Sequence, residues 1–561
     1  MTFNEAICRA AEEGAVLLKN TDKVLPFTNT DRVAVFGRCQ KDWYRSGMGS
    51  GGSVHVSYTT TLIDSLKEMQ KKIPAMPAID DEVADSYSKW ILEHPFDNGG
   101  GEWAAEPWSQ EEMPVSSDFA RKASERNSKA VFVIGRTAGE DKDNKETEGS
   151  WLLSAKEKQA LENICAAFED VCLVLNTSNI MDLSWTDDAV FKGHIKAVLI
   201  VWHGGQEGGR AAARLLCGLA NPSGKLTDTI AKKCSSYPCT ENFGIDGDIP
   251  YSEDIYVGYR YFSTFAPDEV LYPFGFGLSY TTFSLSGQKA HFADGKVTLL
   301  LTVTNTGNVA GKETVQVYVQ CPQGKLGKSA RELAAFRKTG LLESGASESV
   351  SMEFPLSQLA SYDDSGVSGN PFCFVLEEGI YRVYIGCDVA SAEEVLVDGS
   401  YGIRLDALQV ISHHSQAAAP VKAFSRIRPE SFDKKKSAFT LGKEDTPLSQ
   451  VDLKKRILSN LPKEIAYTGD KGIRFADVIK DKSKLDAFIA QISDSDLAAM
   501  VRGEGMMSQK VTVGIAAAYG GITQKLRDFG IPAAGCSDGP SGIRLDTGKE
   551  ADLMPIGTLL A

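Results

Sequence analysis

Four short runs in the first half of the chain are apolar at every position: Val33-Ala34-Val35-Phe36, Ala130-Val131-Phe132-Val133-Ile134, Val171-Cys172-Leu173-Val174-Leu175 and Ala197-Val198-Leu199-Ile200-Val201. A strand with no polar face has to be covered on both sides. Stretches with apolar residues at helical spacing lie among these runs, from Ala6 to Asn20 and from about Ser154 to Phe168. Alternation of this kind predicts a mainly parallel sheet with helices on both faces. Residues 1–281 are therefore expected to form an open α/β domain.

Near Thr282 the period changes. Lys296–Asn305, Glu313–Gln320 and Ile380–Gly386 alternate apolar and polar residues and are separated by turn signals, which predicts a small β-sandwich over 282–400. Residues 401–484 read as a linker with connecting helices. Their polar stretch from about Ser412 to Gln450 includes His413-His414, Ala417-Ala418-Ala419-Pro420 and a lysine run, Lys434–Lys436, that suits a solvated face. Beyond it, Ser493 followed by acidic residues marks a helix N-terminus, and Thr523–Phe529 reads as a helix stopped by Gly530 before a new strand. A chain of 561 residues has room for about three to five domains.

Charge narrows the possible partners. Lys+Arg 60 against Asp+Glu 74 gives −14 at pH 7, which argues against nucleic acid or an anionic membrane and suits a neutral or cationic small ligand. No apolar run is long enough to cross a bilayer. The opening Met1-Thr2-Phe3-Asn4-Glu5 has neither the basic start nor the apolar core of a secretory signal, so a cytoplasmic location is expected. Eleven cysteines at irregular spacing read as free thiols of a reducing compartment. Cys234 and Cys239 have no second Cys or His pair nearby, and no His-Glu-x-x-His occurs, so neither a metal nor another cofactor is expected. The glycine-rich Gly47–Ser53 lacks a P-loop's Gly-Lys-Ser/Thr ending, and neither Ser50 nor Ser53 lies in a Gly-x-Ser-x-Gly elbow.

Carboxylates remain. Glu140 follows Gly139 in the loop after the Ala130–Ile134 strand, where ligands collect in an open α/β sheet. A carboxyl there becomes protonated when substrate covers it, as a general acid requires, although Asp141, Asp143, Glu146 and Glu148 next to it also fit a solvated acidic loop. Asp538, before Gly539-Pro540, is held on a tight turn where it either accepts hydrogen bonds from vicinal hydroxyls or only braces the turn. Trp103 and Trp108, in a long loop from Asp97 to Glu112, either stack on a sugar or aryl group or pack the loop onto its domain.

Together with Glu13–Asn20, Gly47–Ser53, Gly135–Asp143, Trp202–Gly209, Asn221–Leu226, Tyr256–Phe262, Pro273–Tyr280 and Ser537–Arg544, the chain resembles glycoside hydrolase family 3 β-glucosidases with a permuted domain order. The resemblance implies an α/β multidomain protein: an open α/β sandwich, a fibronectin type III-like β-sandwich, then the beginning of a (β/α)8 TIM barrel over 485–561. It implies retaining hydrolysis of terminal β-D-glucosyl residues, with Glu140 as acid/base and Asp538, Ser50 and Arg544 in the sugar subsite. It also places the nucleophilic Asp in a Ser-Asp-Trp-like segment late in the barrel, which nothing in 485–561 matches. Asp42-Trp43 is a decoy in the wrong domain, and Ser184-Trp185-Thr186-Asp187 has the wrong order. A barrel needs about 200 residues or more, so its remainder is expected elsewhere, as a partner segment on a second chain or in a lost part of this one. The apolar ending Leu559-Leu560-Ala561 fits an interrupted element. A homo-oligomer is compatible with the reading. A β-xyloside or other β-glycoside is an alternative substrate. A non-catalytic carbohydrate-binding scaffold is the alternative of a different class, and the Asp538 turn argues against it.

Overall fold

The apolar runs form the centre of one six-stranded sheet. The computed structural model describes residues 1–49, 51–416, 419–506 and 508–561. The sheet's strands are β1 (Val16–Asn20), β2 (Arg32–Phe36), β3 (Ala78–Ile79), β4 (Lys129–Arg136), β5 (Asp170–Thr177) and β6 (Ile195–Ile200), in the spatial order β1-β6-β5-β4-β2-β3. All pairings are parallel except that of β1 with β6. Helices α1 (Phe3–Gly14), α2 (Leu62–Lys72), α3 (Asp81–Glu93), α4 (Ser117–Ser124), α5 (Ala155–Ala167) and α6 (Gly208–Leu216) accompany it. Two apolar cores result, one built on Phe36, Phe132, Leu173 and Ile200, the other on Val35, Val133, Val174 and Leu199, as a sheet buried on both faces requires.

The helical spacing from Ala6 onward carries the first helix too far. It ends at Gly14, and Val16–Asn20 is an edge strand with Val16, Leu17 and Leu18 buried. The reason is tertiary: this segment pairs antiparallel with β6, so its leucines face the cores of the sheet.

The β-sandwich pairs one sheet of 283–293, 296–305 and 347–355 with another of 314–320, 332–338, 379–386 and 393–395. Alternate residues Val297, Leu299, Leu301 and Val303 meet Val315, Val317 and Val383 in its core. Glu13 at the end of α1 fastens this unit to the first by accepting from Lys312 Nζ at 2.7 Å, while Lys338 Nζ donates to the Glu13 carbonyl at 3.1 Å. Burial lowers the Lys338 pKa to about 8, opposed by the Glu13 carboxylate.

Residues 401–484 are more ordered than a linker. Ile403–Leu405 pairs with 379–386, Gln409–His413 joins a small sheet with 373–376, and Ser425–Asp433 and Ala438–Asp445 form a hairpin whose tip carries the lysine run. Charge density hides this hairpin in the sequence, because its polar residues are internal partners. Arg426 lies within 3.4 Å of Asp254 of the first unit, 2.6 Å of Asp364 of the sandwich and 2.8 Å of Glu444 across the hairpin.

Residues 485–561 form a small unit of short strands and helices. The short strands Glu504–Gly505, Ala517–Gly520 and Ala533–Cys536 pair antiparallel, and no closed barrel exists among the described residues. A segment this short has too few strands to close, so it buries a small core of Phe488, Ile492, Leu526 and Phe529 instead. The helix after Ser493 and the Gln524–Asp528 helix before Gly530 form where the capping signals place them. All eleven cysteines are unpaired, and no described helix is long and apolar enough to cross a membrane.

Replacing Arg426 with Ala leaves Asp254 and Asp364 without their cation and Glu444 with Arg428 alone. The expected loss is about 1.5–3 kcal/mol, the worth of a hydrogen bond to a charged group. It is to be read as a lower unfolding midpoint and faster tryptic cleavage at Lys434–Lys436; unaltered cleavage would mean the hairpin is held by other contacts.

Candidate active site

The sheet places its chemistry at the carboxyl ends of its parallel strands, where three loops converge. The glycine-rich segment follows β2, the Glu140 loop follows β4, and Trp202–Gly209 follows β6.

Arg136, the last residue of β4, organises the Glu140 loop. Its guanidinium is fully buried and makes five hydrogen bonds: Nε to Ser150 O at 3.1 Å, Nη1 to Gly135 O at 2.8 Å, Nη2 to Leu152 O at 3.2 Å, and one from each Nη to the Glu157 carboxylate at 2.7 Å. Both ends of the loop are thereby tied to one side chain. Glu157 also accepts from Ser154 N at 2.8 Å, completing a capping box at the start of α5. The Arg136 carbonyl bonds His203 Nε2 at 2.9 Å. Burial lowers the His203 pKa to about 4, so the ring is neutral, with its proton on Nε2 facing that carbonyl.

Glu140 stands exposed on the turn at 139–142, with Asp141 at φ 61°. The glycine-rich segment runs against this turn: Met48 N donates to Ala138 O at 3.0 Å, and Met48 bridges Gly139. Gly49 has φ +83°, and a Cβ there would stand 2.7 Å from Glu140 Cβ. Any side chain at Gly49 would displace Glu140. Ser50, assigned to the sugar subsite by resemblance, lies outside the described residues.

The Asp538 turn arrives at the same segment from the far end of the chain. Pro540 Cγ is 3.3 Å from where a Cβ on Gly51 would lie, and Val54 is similarly close to Gly542. Asp538 Oδ1 accepts from Gly539 N at 2.8 Å, and Oδ2 from Arg544 Nη1 at 3.1 Å. Arg544 Nη2 is also 3.1 Å from Asp546, so this guanidinium is engaged in bracing the turn. The docking is made by buried Gln206, whose backbone N–H donates to Leu553 O at 3.1 Å and whose Oε1 accepts from Leu553 N at 2.9 Å. Ile556 N donates to His203 O, and Leu559 enters the core of the first unit. The sequence marks Trp202–Gly209 as a motif, but nothing in it says that Gln206 receives a segment almost 350 residues away.

The two loop tryptophans differ. Trp108 packs: Nε1 donates to Asp143 O at 3.0 Å, and Lys142 Nζ lies 4.5 Å from its ring centre. Trp103 is 52% exposed, donates from Nε1 to Asp141 Oδ2 at 2.8 Å, and lines a cavity of about 720 Å³ that Tyr44, Arg45 and Gly47–Gly49 also line. The base of this loop is pinned by buried Arg38, which donates to His94 O at 2.8 Å and Glu111 O at 3.1 Å and pairs with Asp42 at 2.7 Å. Asp42, absent from the expected site, thus has a structural task. Glu112 accepts from Arg38 N and Tyr87 Oη at 2.9 Å each, and burial raises its pKa to about 8.

Comparison with known proteins agrees with this arrangement. Residues 15–280 match the glycosyl hydrolase family 3 C-terminal domain, and residues 313–389 match the fibronectin type III-like domain. The whole chain is 46% identical to a β-glucosidase of Ruminococcus albus, covering 57% of it. It is 33% identical to β-glucosidase A of Butyrivibrio fibrisolvens over 99% of this chain and 71% of that protein. The chain belongs to glycosyl hydrolase family 3. A solved β-glucosidase from Paenibacillus barengoltzii superimposes on this family member with TM-score 0.95 at 47% identity, over 100% of this chain and 60% of that one. The chain thus spans under two thirds of the length of the Ruminococcus albus and Paenibacillus barengoltzii proteins.

The clasp of Arg136 predicts a local failure. Glu157→Gln leaves a buried guanidinium without its counter-charge, an effect of about 3–5 kcal/mol. Lower thermal stability and faster tryptic cleavage at Lys142 and Lys145 are expected; cleavage at the wild-type rate would show that the loop is closed by other bonds.

Proposed function

We propose that this chain is the larger part of a retaining β-glucosidase that removes terminal non-reducing β-D-glucosyl residues from oligosaccharides or aryl and alkyl glucosides. The observation that carries the reading is the meeting of two carboxylate-bearing turns on one glycine-rich segment, Glu140 against Gly49 and the Asp538 turn against Gly51. Glu140, exposed at a loop tip with a rigid base, is suited to protonate the glycosidic oxygen as it leaves and then to take a proton from the attacking water. Asp538 is held by its own turn and by Arg544, leaving lone pairs for vicinal sugar hydroxyls.

The nucleophile of this reading is an Asp in the remainder of a TIM barrel that residues 485–561 begin. A retaining mechanism needs the two catalytic carboxyl groups about 5–5.5 Å apart, so that remainder has to close over the Glu140 face. The full-length relatives named as β-glucosidases support the activity, and the exposed Trp103 supports a sugar or aryl leaving group.

In the full-length enzyme, Glu140→Ala is expected to lower kcat by about 10²–10⁴-fold on glucosides with poor leaving groups. The loss should be much smaller on activated aryl glucosides, where azide should restore turnover. Equal loss on every substrate without azide rescue would remove Glu140 from the acid/base role. A separate measurement tests the nucleophile's location: the 561 residues alone should not hydrolyse 4-nitrophenyl β-glucoside and should gain activity with the missing barrel segment. Turnover by the isolated chain would place the nucleophile within it.

A further inference from the structure

A second cavity, of about 440 Å³, lies where three parts of the chain meet. Thr229, Phe262 and Ser263 line it from the first unit, Arg331 from the sandwich, and Phe432 and Ser437 from the 425–445 hairpin. It shares no lining residue with the cavity beside Trp103. Two hydroxyls of these walls, Thr229 Oγ1 and Ser263 Oγ, are buried without a hydrogen-bond partner among the described residues. Thr229 is 1% exposed, and its backbone is already engaged: the N–H donates to Asp228 Oδ1 at 2.8 Å, and the C=O accepts from Tyr237 Oη at 2.7 Å. On the Tyr259–Phe265 helix, Thr264 donates to Arg260 O at 2.6 Å, whereas Ser263 beside it has no such acceptor. Polar atoms so placed are costly unless a ligand or water completes them.

Arg331 adds a charge. Its Nη1 donates to Ala330 O at 2.9 Å, its Cζ lies 3.7 Å from the centre of the Tyr384 ring, and no carboxylate pairs with it among the described residues. Glu394 acts on it from beyond ion-pair range and is itself paired with Arg382 at 2.8 Å. Desolvation lowers the Arg331 pKa from the usual value, as expected of a guanidinium withdrawn from water without a counter-ion. An aromatic ring on one face of a guanidinium leaves the N–H groups at its edge for an acceptor. Tyr259, Phe262, Phe432, Pro267 and Pro273 give the cavity an apolar, aromatic lining. Its volume falls in the range of small-molecule sites, about 300–1,000 Å³. One uncompensated cation, two hydroxyls able to donate and aromatic walls together suit a ligand with a single negative charge on a flat apolar body. A phosphate ion would leave the aromatic walls without a partner.

We propose that this cavity binds an aromatic monocarboxylate, whose carboxylate pairs with Arg331 and accepts hydrogen bonds from Thr229 and Ser263 while its ring packs against Phe262 and Phe432. Asp228, the carboxylate next to Thr229 in sequence, does not line the cavity. Because the walls come from three parts of the chain, an occupied cavity fastens the 425–445 hairpin to the other two. The inference holds whether or not Glu140 is the acid/base.

Calorimetric titration of the 561-residue chain with cinnamate should show saturable binding. Uncharged methyl cinnamate should bind about tenfold more weakly or worse, the loss of a charge-assisted hydrogen bond. Arg331→Met and Phe432→Ala should each weaken cinnamate binding by about the same factor or more, whereas Trp103→Ala should leave it unchanged. Phe432 is 51% exposed, so its variant serves if the Arg331 variant does not fold, as judged by circular dichroism. Saturating cinnamate should also slow tryptic cleavage at Lys434–Lys436. Absence of saturable binding would show that water alone fills the cavity and would overturn the proposal. Equal affinity for the ester, displacement of cinnamate by equimolar inorganic phosphate, wild-type affinity in both cavity variants, or cleavage unaltered by cinnamate would each overturn it as well. Binding lost in Trp103→Ala would place the ligand beside Glu140 and refute the assignment to this cavity.

Discussion

A single buried guanidinium underlies the geometry of the Glu140 face. Arg136 is out of water, and an uncompensated charge there would cost far more than any one contact returns. Its position is tolerable because Glu157 supplies the counter-charge and three carbonyls complete the hydrogen bonding. Those carbonyls belong to both ends of the loop that carries Glu140, so satisfying the charge and closing the loop are one event. The same pair sets the first turn of α5 through Ser154 and Glu157. Through its carbonyl, Arg136 also fixes the neutral His203 and with it the start of the segment that receives the chain's C-terminal end. Arg38 does for the Trp103 loop what Arg136 does for the Glu140 loop, and both lie at or just beyond the end of a central strand.

Glycine solves the remaining problem, which is how to bring two carboxylate-bearing turns to one place. Backbone meets backbone where Met48 and Gly49 pass Ala138–Glu140, and a Cβ at Gly49 would occupy the space of the Glu140 side chain. The Asp538 turn approaches from the opposite side of the same segment. Its docking depends on Gln206 reading both the N–H and the C=O of Leu553, a pairing as specific as a ladder of sheet hydrogen bonds. The Glu140 face is therefore assembled from segments near residues 49, 140, 205 and 540, and Asp538 joins it only when the 537–561 segment has docked.

Much of this is legible in the sequence alone. The four apolar runs became the four central strands, because a strand without a polar face has only one environment that suits it. The period-two segments became the β-sandwich, and Ser154, Ser493 and Gly530 marked helix ends through local hydrogen bonding that needs no tertiary partner. Other elements were not legible. Val16–Asn20 continues a helical pattern, and only its pairing with β6 makes it a strand. The hairpin at 425–445 looks like solvated linker because its charges bind Asp254, Asp364 and Glu444 rather than water. Antiparallel pairing at 504–536 was equally hidden, since a few isolated short strands carry no record of their partners.

The candidate site divides in the same way. Residue types and local turns marked Glu140, Asp538, the glycine-rich segment and the loop tryptophans, since chemistry and backbone conformation are properties of a few consecutive residues. Distance along the chain concealed the rest. That Trp108 packs while Trp103 lines a cavity, and that Asp42 braces Arg38, depends on what lies opposite each of them. By itself the sequence determined the four central strands of the first sheet, the sandwich and the carboxylates available for chemistry. Tertiary structure alone decided which of those groups share a surface and which are buried with or without a partner, because burial and pairing are set by neighbours that no local pattern names.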